Sequence, residues 1–434
     1  MAIKDQAAIL KKLNIEALNP MQLEAATAIS SSSEVVLLSP TGTGKTLAFL
    51  LPIIKNLDPD CTEIQVLIIV PSRELAIQIE QVVREMGTGY KTNAVYGGRS
   101  GSKDKIEIKH RPAILIGTPG RVADHIRRER FSLSYIKTLV LDEFDKSLEI
   151  GFESEMREIL DSLYSLNKKV LTSATQGVEV PGFVELESPT EVNYLEGGVS
   201  QLAIKRIMSP FKDKLGILYE SLCHLGDQPG IVFCNFRDSI ERVSEFLTKK
   251  GIGHGCFHGG MEQQDRERTL IQFRNGSIRL LLATDLAARG IDIPEIEFII
   301  HYHLPTKENE FVHRNGRTAR MNKEGIAYVL HSEQEALPEF IHAPEVERLT
   351  STALPPPTSW QTLFISGGRK DKISKGDIAG LFFRQGDLKN DELGIIELKQ
   401  DCAFASVKAA IADRLIAQVN NQKLKKKKVR ITKI

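Results

Sequence analysis

The run Val35-Val36-Leu37-Leu38 breaks directly into Ser39-Pro40-Thr41-Gly42-Thr43-Gly44-Lys45-Thr46, and a second apolar run, Leu47 to Leu51, follows at once. Four consecutive apolar residues, two of them β-branched, suit a buried strand. A buried strand that turns through glycines into a helix is a phosphate-binding device. The glycines let backbone N–H groups approach phosphate oxygens, and the helix N-terminus adds positive potential. Thr41, Gly42, Thr43 and Gly44 form the cradle, Lys45 reaches the terminal phosphates, and Thr46 can hold Mg2+. Ser39 stands where the strict pattern has Gly.

A strand buried on both faces needs helices on both sides, so the loop predicts a parallel α/β sheet. The chain carries that pattern twice. Val35–Leu38, Val66–Val70, Ala113–Ile116, Thr138–Leu141 and Val170–Leu171 read as strands, separated by amphipathic segments such as Glu74–Met86 and Glu153–Leu163. A second set, Ile231–Cys234, Gly253–Phe257, Leu280–Ala283, Phe298–His301 and Ile326–Leu330, alternates with helices such as Ser239–Lys249 and Gln263–Arg274. Leu354-Pro355-Pro356-Pro357-Thr358-Ser359 reads as a linker. Beyond it, strands and helices mix in a small α+β module.

The organisation expected is domain 1 over 1–205, domain 2 over 206–350, a linker at 351–359 and the module at 360–434. A chain of 434 residues is long enough for two or three cores. The five cysteines form no CxxC pair, which fits a reducing compartment. His254, Cys256 and His258 lie close in sequence but lack a fourth ligand nearby, so packing is favoured over metal binding. With no apolar leader or long apolar span, the expectation is a cytoplasmic protein without membrane contact. Net charge is +1, yet residues from 351 onward hold 16 Lys/Arg against 8 Asp/Glu, and the remainder 41 against 48. A basic module on a mildly acidic body is the electrostatic footprint of a nucleic-acid binder.

Asp142 and Glu143 follow the apolar run Thr138–Leu141. At the carboxyl end of a buried strand, Asp142 suits Mg2+ coordination, directly or through water, and Glu143 suits orienting or deprotonating an attacking water. Arg314, Arg317 and Arg320 are spaced by three, which on a helix would present one guanidinium face. That face is either a solvated basic surface or a phosphate clamp.

Asp142-Glu143-Phe144-Asp145, with the phosphate loop, resembles motif II of the DEAD-box RNA helicases, superfamily 2 ATPases, with Phe144 in place of the usual Ala. The resemblance extends over about residues 10–345. Pro20-Met21-Gln22 resembles the Q motif, whose glutamine reads adenine. Pro71 to Ala76 (with Arg73), Gly97-Gly98 and Thr118-Pro119-Gly120-Arg121 resemble RNA-backbone motifs, and Ser173-Ala174-Thr175 resembles motif III. Ile231 to Asn235, with Gln263 and Arg266, resembles motif IV and its companion. Ala283-Thr284-Asp285 through Asp292 resembles motif V, and His313 to Arg320 motif VI. The resemblance implies two RecA-like domains, ATP and Mg2+ as cofactors, and RNA contacts at Arg73, Gly98, Thr118, Arg121 and Thr284. It also implies Arg317 and Arg320 as arginine fingers and Asp292 beside the ribose. Asn14-Ile15 and Leu18-Asn19 replace the family's Gly-Phe and Pro-Thr pairs, which puts strict ATP preference in question.

The stretches Lys372 to Ile378, Leu393 to Leu398 and Phe404 to Val407 resemble the RRM-like RNA-binding domain of DbpA/YxiN-type helicases. That implies structured ribosomal RNA and pre-ribosomal particles as partners, with Lys372, Lys375 and Lys426 among the contacting residues. The expectation is a monomeric, ATP-dependent RNA helicase. The rivals are a DNA-directed superfamily 2 translocase and a non-catalytic, ATP-gated RNA clamp.

Overall fold

The computed structural model describes residues 5–98, 108–175, 179–195, 202–285, 296–318, 325–342, 344–350 and 353–434. The chain forms two units, the first carrying one sheet and the second carrying two larger sheets and a two-stranded hairpin.

In the first unit, seven strands are β1 (Glu34–Leu38), β2 (Val66–Ile69), β3 (Thr92–Val95), β4 (Ile114–Gly117), β5 (Thr138–Leu141), β6 (Lys168–Ser173) and β7 (Thr190–Asn193). They pair in parallel in the order β3-β4-β2-β5-β6-β1-β7. Burial on both faces explains the unbroken apolar runs. Val35, Leu37, Val66 and Ile68 pack in one layer with the helix Lys45–Lys55, while Val36, Leu67, Ile69 and Leu141 pack in the other. β3 and β7 lie at the edges, and their sequences, Thr-Asn-Ala-Val and Thr-Glu-Val-Asn, escape an apolar-run reading because edge strands need less apolar cover.

The second unit repeats the plan with β8 (Leu202–Ser209), β9 (Gly230–Phe233), β10 (Gly255–Phe257), β11 (Leu280–Ala283), β12 (Phe298–His301), β13 (Gly325–Ser332) and β14 (Glu345–Val346). Their order is β10-β11-β9-β12-β13-β8-β14, again parallel. β8 pairs with β13 from Leu202 to Ser209, so a first domain ending at 205 would cut a strand of the second sheet. The break falls before Leu202.

A third, antiparallel sheet follows. It uses β15 (Trp360–Ile365), β16 (Leu393–Leu398), β17 (Ala403–Lys408) and β20 (Ile431–Lys433), and a separate small hairpin of β18 (Lys423–Leu424) and β19 (Lys427–Lys428) precedes β20. The sheet order is β16-β17-β15-β20. The helices Lys375–Arg384 and Ala412–Val419 close its core around Ile378, Phe382 and Leu415.

The segment expected to be a linker is instead strapped to the second sheet's layer. The Thr358 hydroxyl donates to Ser277 O at 3.1 Å, and the Pro356 carbonyl accepts from Arg279. Arg274 grips Glu397 with two bonds of 2.8 and 2.9 Å, and Ser406 Oγ donates to Asn275 O at 2.9 Å. Asn275 caps the helix Gln263–Arg274, so Ser406 satisfies a carbonyl at a helix end. Two-point Arg–carboxylate pairing fixes orientation as well as distance, so the module is docked rather than loosely tethered.

Among the described residues no helix is long and apolar enough to cross a membrane, and no group of three His, Cys, Asp or Glu is arranged to hold a metal ion. His254 is occupied by Ile252 O at 2.8 Å and Ser244 Oγ at 2.7 Å, and the five cysteines are free thiols.

Candidate active site

All strands of the first sheet end on one edge, and the strand order sorts the loops there. The phosphate loop leaves β1, the acids leave β5, and Ser173-Ala174-Thr175 closes β6. These three strands are neighbours. Arg73, Gly98 and Thr118 follow β2, β3 and β4, which form the other half of the sheet. Nucleotide and RNA candidates thus occupy adjoining halves of one edge, where open parallel sheets bind ligands.

In the phosphate loop, Gly42 and Gly44 adopt φ of 87° and 88°. The φ of Gly44 favours glycine, and a Cβ there would meet Gln22 Nε2 at 2.3 Å and displace that amide. Lys45 Nζ is folded onto the loop, donating to Ser39 O at 2.5 Å and Pro40 O at 2.9 Å. Ser39 Oγ and Thr43 Oγ1 are 2.8 Å apart, a bond that glycine at position 39 could not make. Thr46 is half-buried in the first turn of the helix.

Gln22 is buried and bonded at both ends of its amide. Oε1 accepts from Asn19 N at 3.0 Å, and Nε2 donates to Gly44 O at 3.2 Å. One amide N–H and one carbonyl lone pair remain for a ligand. Asn19, the residue that departs from the family pair, N-caps the helix Pro20–Ser31 and donates from Nδ2 to Thr43 O at 2.9 Å. The altered residue therefore ties the Q motif to the phosphate loop. Ile15 packs against the core.

Asp142 is buried, and its N–H donates to Ile69 O at 2.9 Å. Burial, followed by the neighbouring Glu143 charge, pushes its carboxyl up to about 6, against the Thr172 hydroxyl and Lys45, which pull it down. Glu143 adopts φ 50° and ψ 50°, a left-handed turn at the head of the short helix Phe144–Glu149. Thr172 Oγ1 donates to Asp142 Oδ1 and accepts from Glu143 N at 3.1 Å. Asp145 Oδ2 accepts from Thr175 Oγ1 at 2.9 Å and from Lys146 Nζ at 2.6 Å, with both members of that ion pair buried. Thr172 and Lys146 escape sequence reasoning. Thr172 is one polar residue in an apolar strand, and Lys146 follows the acids on a helix whose orientation the sequence does not reveal.

Phe144 is 1% exposed and joins the core with Leu139, Leu141, Met156 and Ile159. Phe144→Ala, which restores the family's usual residue, should therefore destabilise the first unit by about 3–5 kcal/mol, read as a lowered thermal midpoint. A midpoint equal to wild type would contradict this packing.

On the β2, β3 and β4 half, the Arg73 guanidinium lies over Gly97 and Gly98. A Cβ on Gly98, whose φ is 79°, would meet Arg73 Nη1 at 2.4 Å. Thr118 is the N-cap residue of the helix Pro119–Arg127, and Arg121 lies 3.5 Å from Asp124.

In the second unit, Arg314 and Arg317 do not share a helix face as expected. The helix Glu308–Asn315 ends before Arg317, and Arg314 turns inward, 1% exposed. Its guanidinium donates to both Asp285 oxygens at 2.6 Å, to Asn235 Oδ1 at 2.8 Å and to His303 O at 2.8 Å. It thereby joins motifs IV, V and VI from within. Burial, then the Arg314 charge, pushes His301 down to about 3, and this neutral ring bonds Asn315 Oδ1 at 2.9 Å through Nε2. Arg317 is buried, and Thr284 is half-buried at the end of β11. Arg320 and Asp292 lie outside the described residues.

In the third sheet's module, Lys372, Lys375 and Lys426 are exposed. Lys425 and Lys427, on either side of Lys426, are paired with Asp377 at 2.9 Å and Asp371 at 2.8 Å. Bonds from Ser374, then Lys425, hold Asp377 down to about 2.

Residues 19–181 match the DEAD/DEAH box helicase family, 213–322 the helicase conserved C-terminal domain and 362–433 the DbpA RNA binding domain. A DEAD-box ATP-dependent RNA helicase of Bacillus subtilis, CshB, is 34% identical over 71% of this chain and 73% of its own. The chain belongs to the DEAD-box RNA helicases. This family consists of RNA-stimulated ATPases. The Escherichia coli ATP-dependent RNA helicase DbpA is 29% identical over 97% of this chain and 95% of its own. The solved structure of Saccharomyces cerevisiae Dbp5 bound to RNA and ADP BeF3 matches with a TM-score of 0.67 and 27% identity, covering 75% of this chain and 88% of that one. The DEAD-box profile thus ends inside the first unit, and the DbpA-type match coincides with the third sheet.

Proposed function

We propose that this DEAD-box chain hydrolyses ATP to open or remodel structured RNA, and that its target is ribosomal RNA in assembling large ribosomal subunits. The observation that carries the reading is the division of the first sheet's edge, with a phosphate loop and paired acids on β1, β5 and β6 and backbone-reading residues on β2, β3 and β4. Asp142 offers a carboxylate oxygen and Thr46 a hydroxyl, hard donors that suit Mg2+ sharing its shell with phosphate oxygens and water. When bound, the ion would neutralise charge on the phosphates. Glu143 orients the attacking water, Lys45 exchanges its loop carbonyls for phosphate, and Gln22 reads the adenine edge with its remaining N–H and lone pair. Arg317 and Arg320 are proposed for the γ-phosphate, and Asp292 for the ribose, on the resemblance of their motifs.

Arg73, Gly98, Thr118, Arg121 and Thr284 are proposed to hold the RNA backbone, since hydroxyls, glycines and arginines contact sugar and phosphate without reading bases. The module, proposed as an RNA-binding domain from Trp360 onward, selects the RNA through exposed Lys372, Lys375 and Lys426. Because it is docked on the second sheet's layer, the selected RNA is held at a set place relative to Thr284. The free thiols accord with a cytoplasmic site of action, and we propose a monomer. The test is ATP turnover by the full chain with large-subunit ribosomal RNA fragments, unrelated structured RNA, and DNA of matching sequence. Strong activation by one ribosomal fragment is expected. Equal activation by every RNA would remove the ribosomal target, and equal activation by DNA would remove the RNA helicase reading.

A further inference from the structure

We infer that Thr172, which lies outside the helicase motifs, is a positioning residue that sets the two catalytic acids relative to each other. The inference rests on the assignment of Asp142 and Glu143 proposed above.

β6 is the strand between the acids and the phosphate loop. Leu141 of β5 pairs with Leu171, so Asp142 emerges opposite Thr172, and on the other side Thr172 pairs with Leu37 of β1. One residue on, Ser39 N at the start of the phosphate loop donates to Ser173 O at 3.1 Å. Thr172 is fully buried, so no water competes for its hydroxyl.

A hydroxyl has one proton and can also accept. Thr172 spends the proton on Asp142 Oδ1 and accepts from Glu143 N at 3.1 Å. Asp142 is acceptor-only when ionised, and Glu143 N–H is donor-only, so the hydroxyl can face both groups in only one sense. The bond to Glu143 matters because that residue holds φ 50° and ψ 50°, a conformation that costs a non-glycine residue on the order of 1 kcal/mol or more. The same oxygen thus anchors the strained turn that aims Glu143 and orients the carboxylate beside it. Without the hydroxyl, a buried carboxylate oxygen and a backbone N–H both lose a partner, while the shape of the strand is unchanged in a valine.

Thr175 makes a parallel link to Asp145 at 2.9 Å, so motif III and the residue preceding it meet the acids through two hydroxyls. Thr172 is the one that touches both catalytic acids.

The experiment compares Thr172→Val, Thr172→Ser and Glu143→Gln in the full chain. It measures RNA-stimulated kcat and KM for ATP, the Mg2+ concentration needed for tight binding of a fluorescent ADP, and the thermal midpoint. Thr172→Val should lower kcat about 10–100-fold with KM near wild type, and raise the Mg2+ requirement by a similar factor, as loss of a supporting hydrogen bond does. Thr172→Ser keeps the hydroxyl and should restore both. Wild-type kcat and Mg2+ requirement in Thr172→Val would overturn the inference, as would Thr172→Ser failing together with Thr172→Val. Wild-type turnover in Glu143→Gln would instead remove the assignment of the acids, and the inference with it.

Discussion

Glu143→Gln removes RNA-stimulated ATP hydrolysis and leaves ATP binding intact. The loss expected of a group that orients or deprotonates the attacking water is about 10²–10⁴-fold in kcat. Gln keeps the size of the side chain and an oxygen that can accept, so the turn at φ 50° and the bond from Glu143 N to Thr172 are undisturbed. Asp142 is relieved of a neighbouring negative charge, which favours its ionised form and hence the role proposed for it toward a cation. Binding of a fluorescent ATP analogue and phosphate release, measured side by side, separate the two effects. Wild-type phosphate release would eliminate the mechanism. Loss of nucleotide binding together with hydrolysis would show that Glu143 supports the site rather than acting in the reaction.

Arg314→Ala should damage the second unit without touching a ligand. Arg314 is buried, and Asp285, Asn235 and the His303 carbonyl all depend on its guanidinium. Breaking a buried pair by removing one partner costs about 3–5 kcal/mol, because the other charge is left without compensation. The loss should register as faster hydrogen exchange across β9, β11 and β12, with the first sheet unchanged. Arg314→Lys should recover only part of it. One ammonium cannot occupy both Asp285 oxygens and reach Asn235 and His303 in the plane that a guanidinium fills. Exchange rates equal to wild type in Arg314→Ala would show that the network carries no stability. Because Asp285 adjoins Thr284, RNA affinity should fall along with stability in the alanine variant.

The strands most easily recognised in the sequence are those buried on both faces, such as Val35–Leu38 and Leu280–Ala283, where nearly every residue must be apolar. Edge strands are different. β3, β7 and β14 carry Thr, Asn and Glu, and nothing local separates them from loops. Boundaries between modules are similarly weak signals. The proline-rich segment satisfies the compositional description of a linker, yet Pro356 and Thr358 are held by Arg279 and Ser277, residues about eighty positions earlier. The paired acids and the phosphate loop were legible because the chemistry proposed for them requires particular residues at fixed offsets. Arg314 was misplaced because a spacing of three implies one face only while the helix continues, and this helix stops at Asn315.

By itself, the sequence determined the residue types of the site. A loop of Ser39 to Thr46 between a strand and a helix, acids after a second strand, and a basic C-terminal module admit few other chemistries. Only the tertiary structure decided which of those residues are neighbours. The order β3-β4-β2-β5-β6-β1-β7 puts β6 between β5 and β1, although it follows both in sequence. That order brings the Thr172 hydroxyl against two acids thirty positions away, and in the second unit the packing of Arg314 on Asp285, Asn235 and His303 turns an apparent surface arginine into core. The physical reason is that strand order minimises exposed apolar area over the whole sheet, a sum over contacts that no local pattern of residues records.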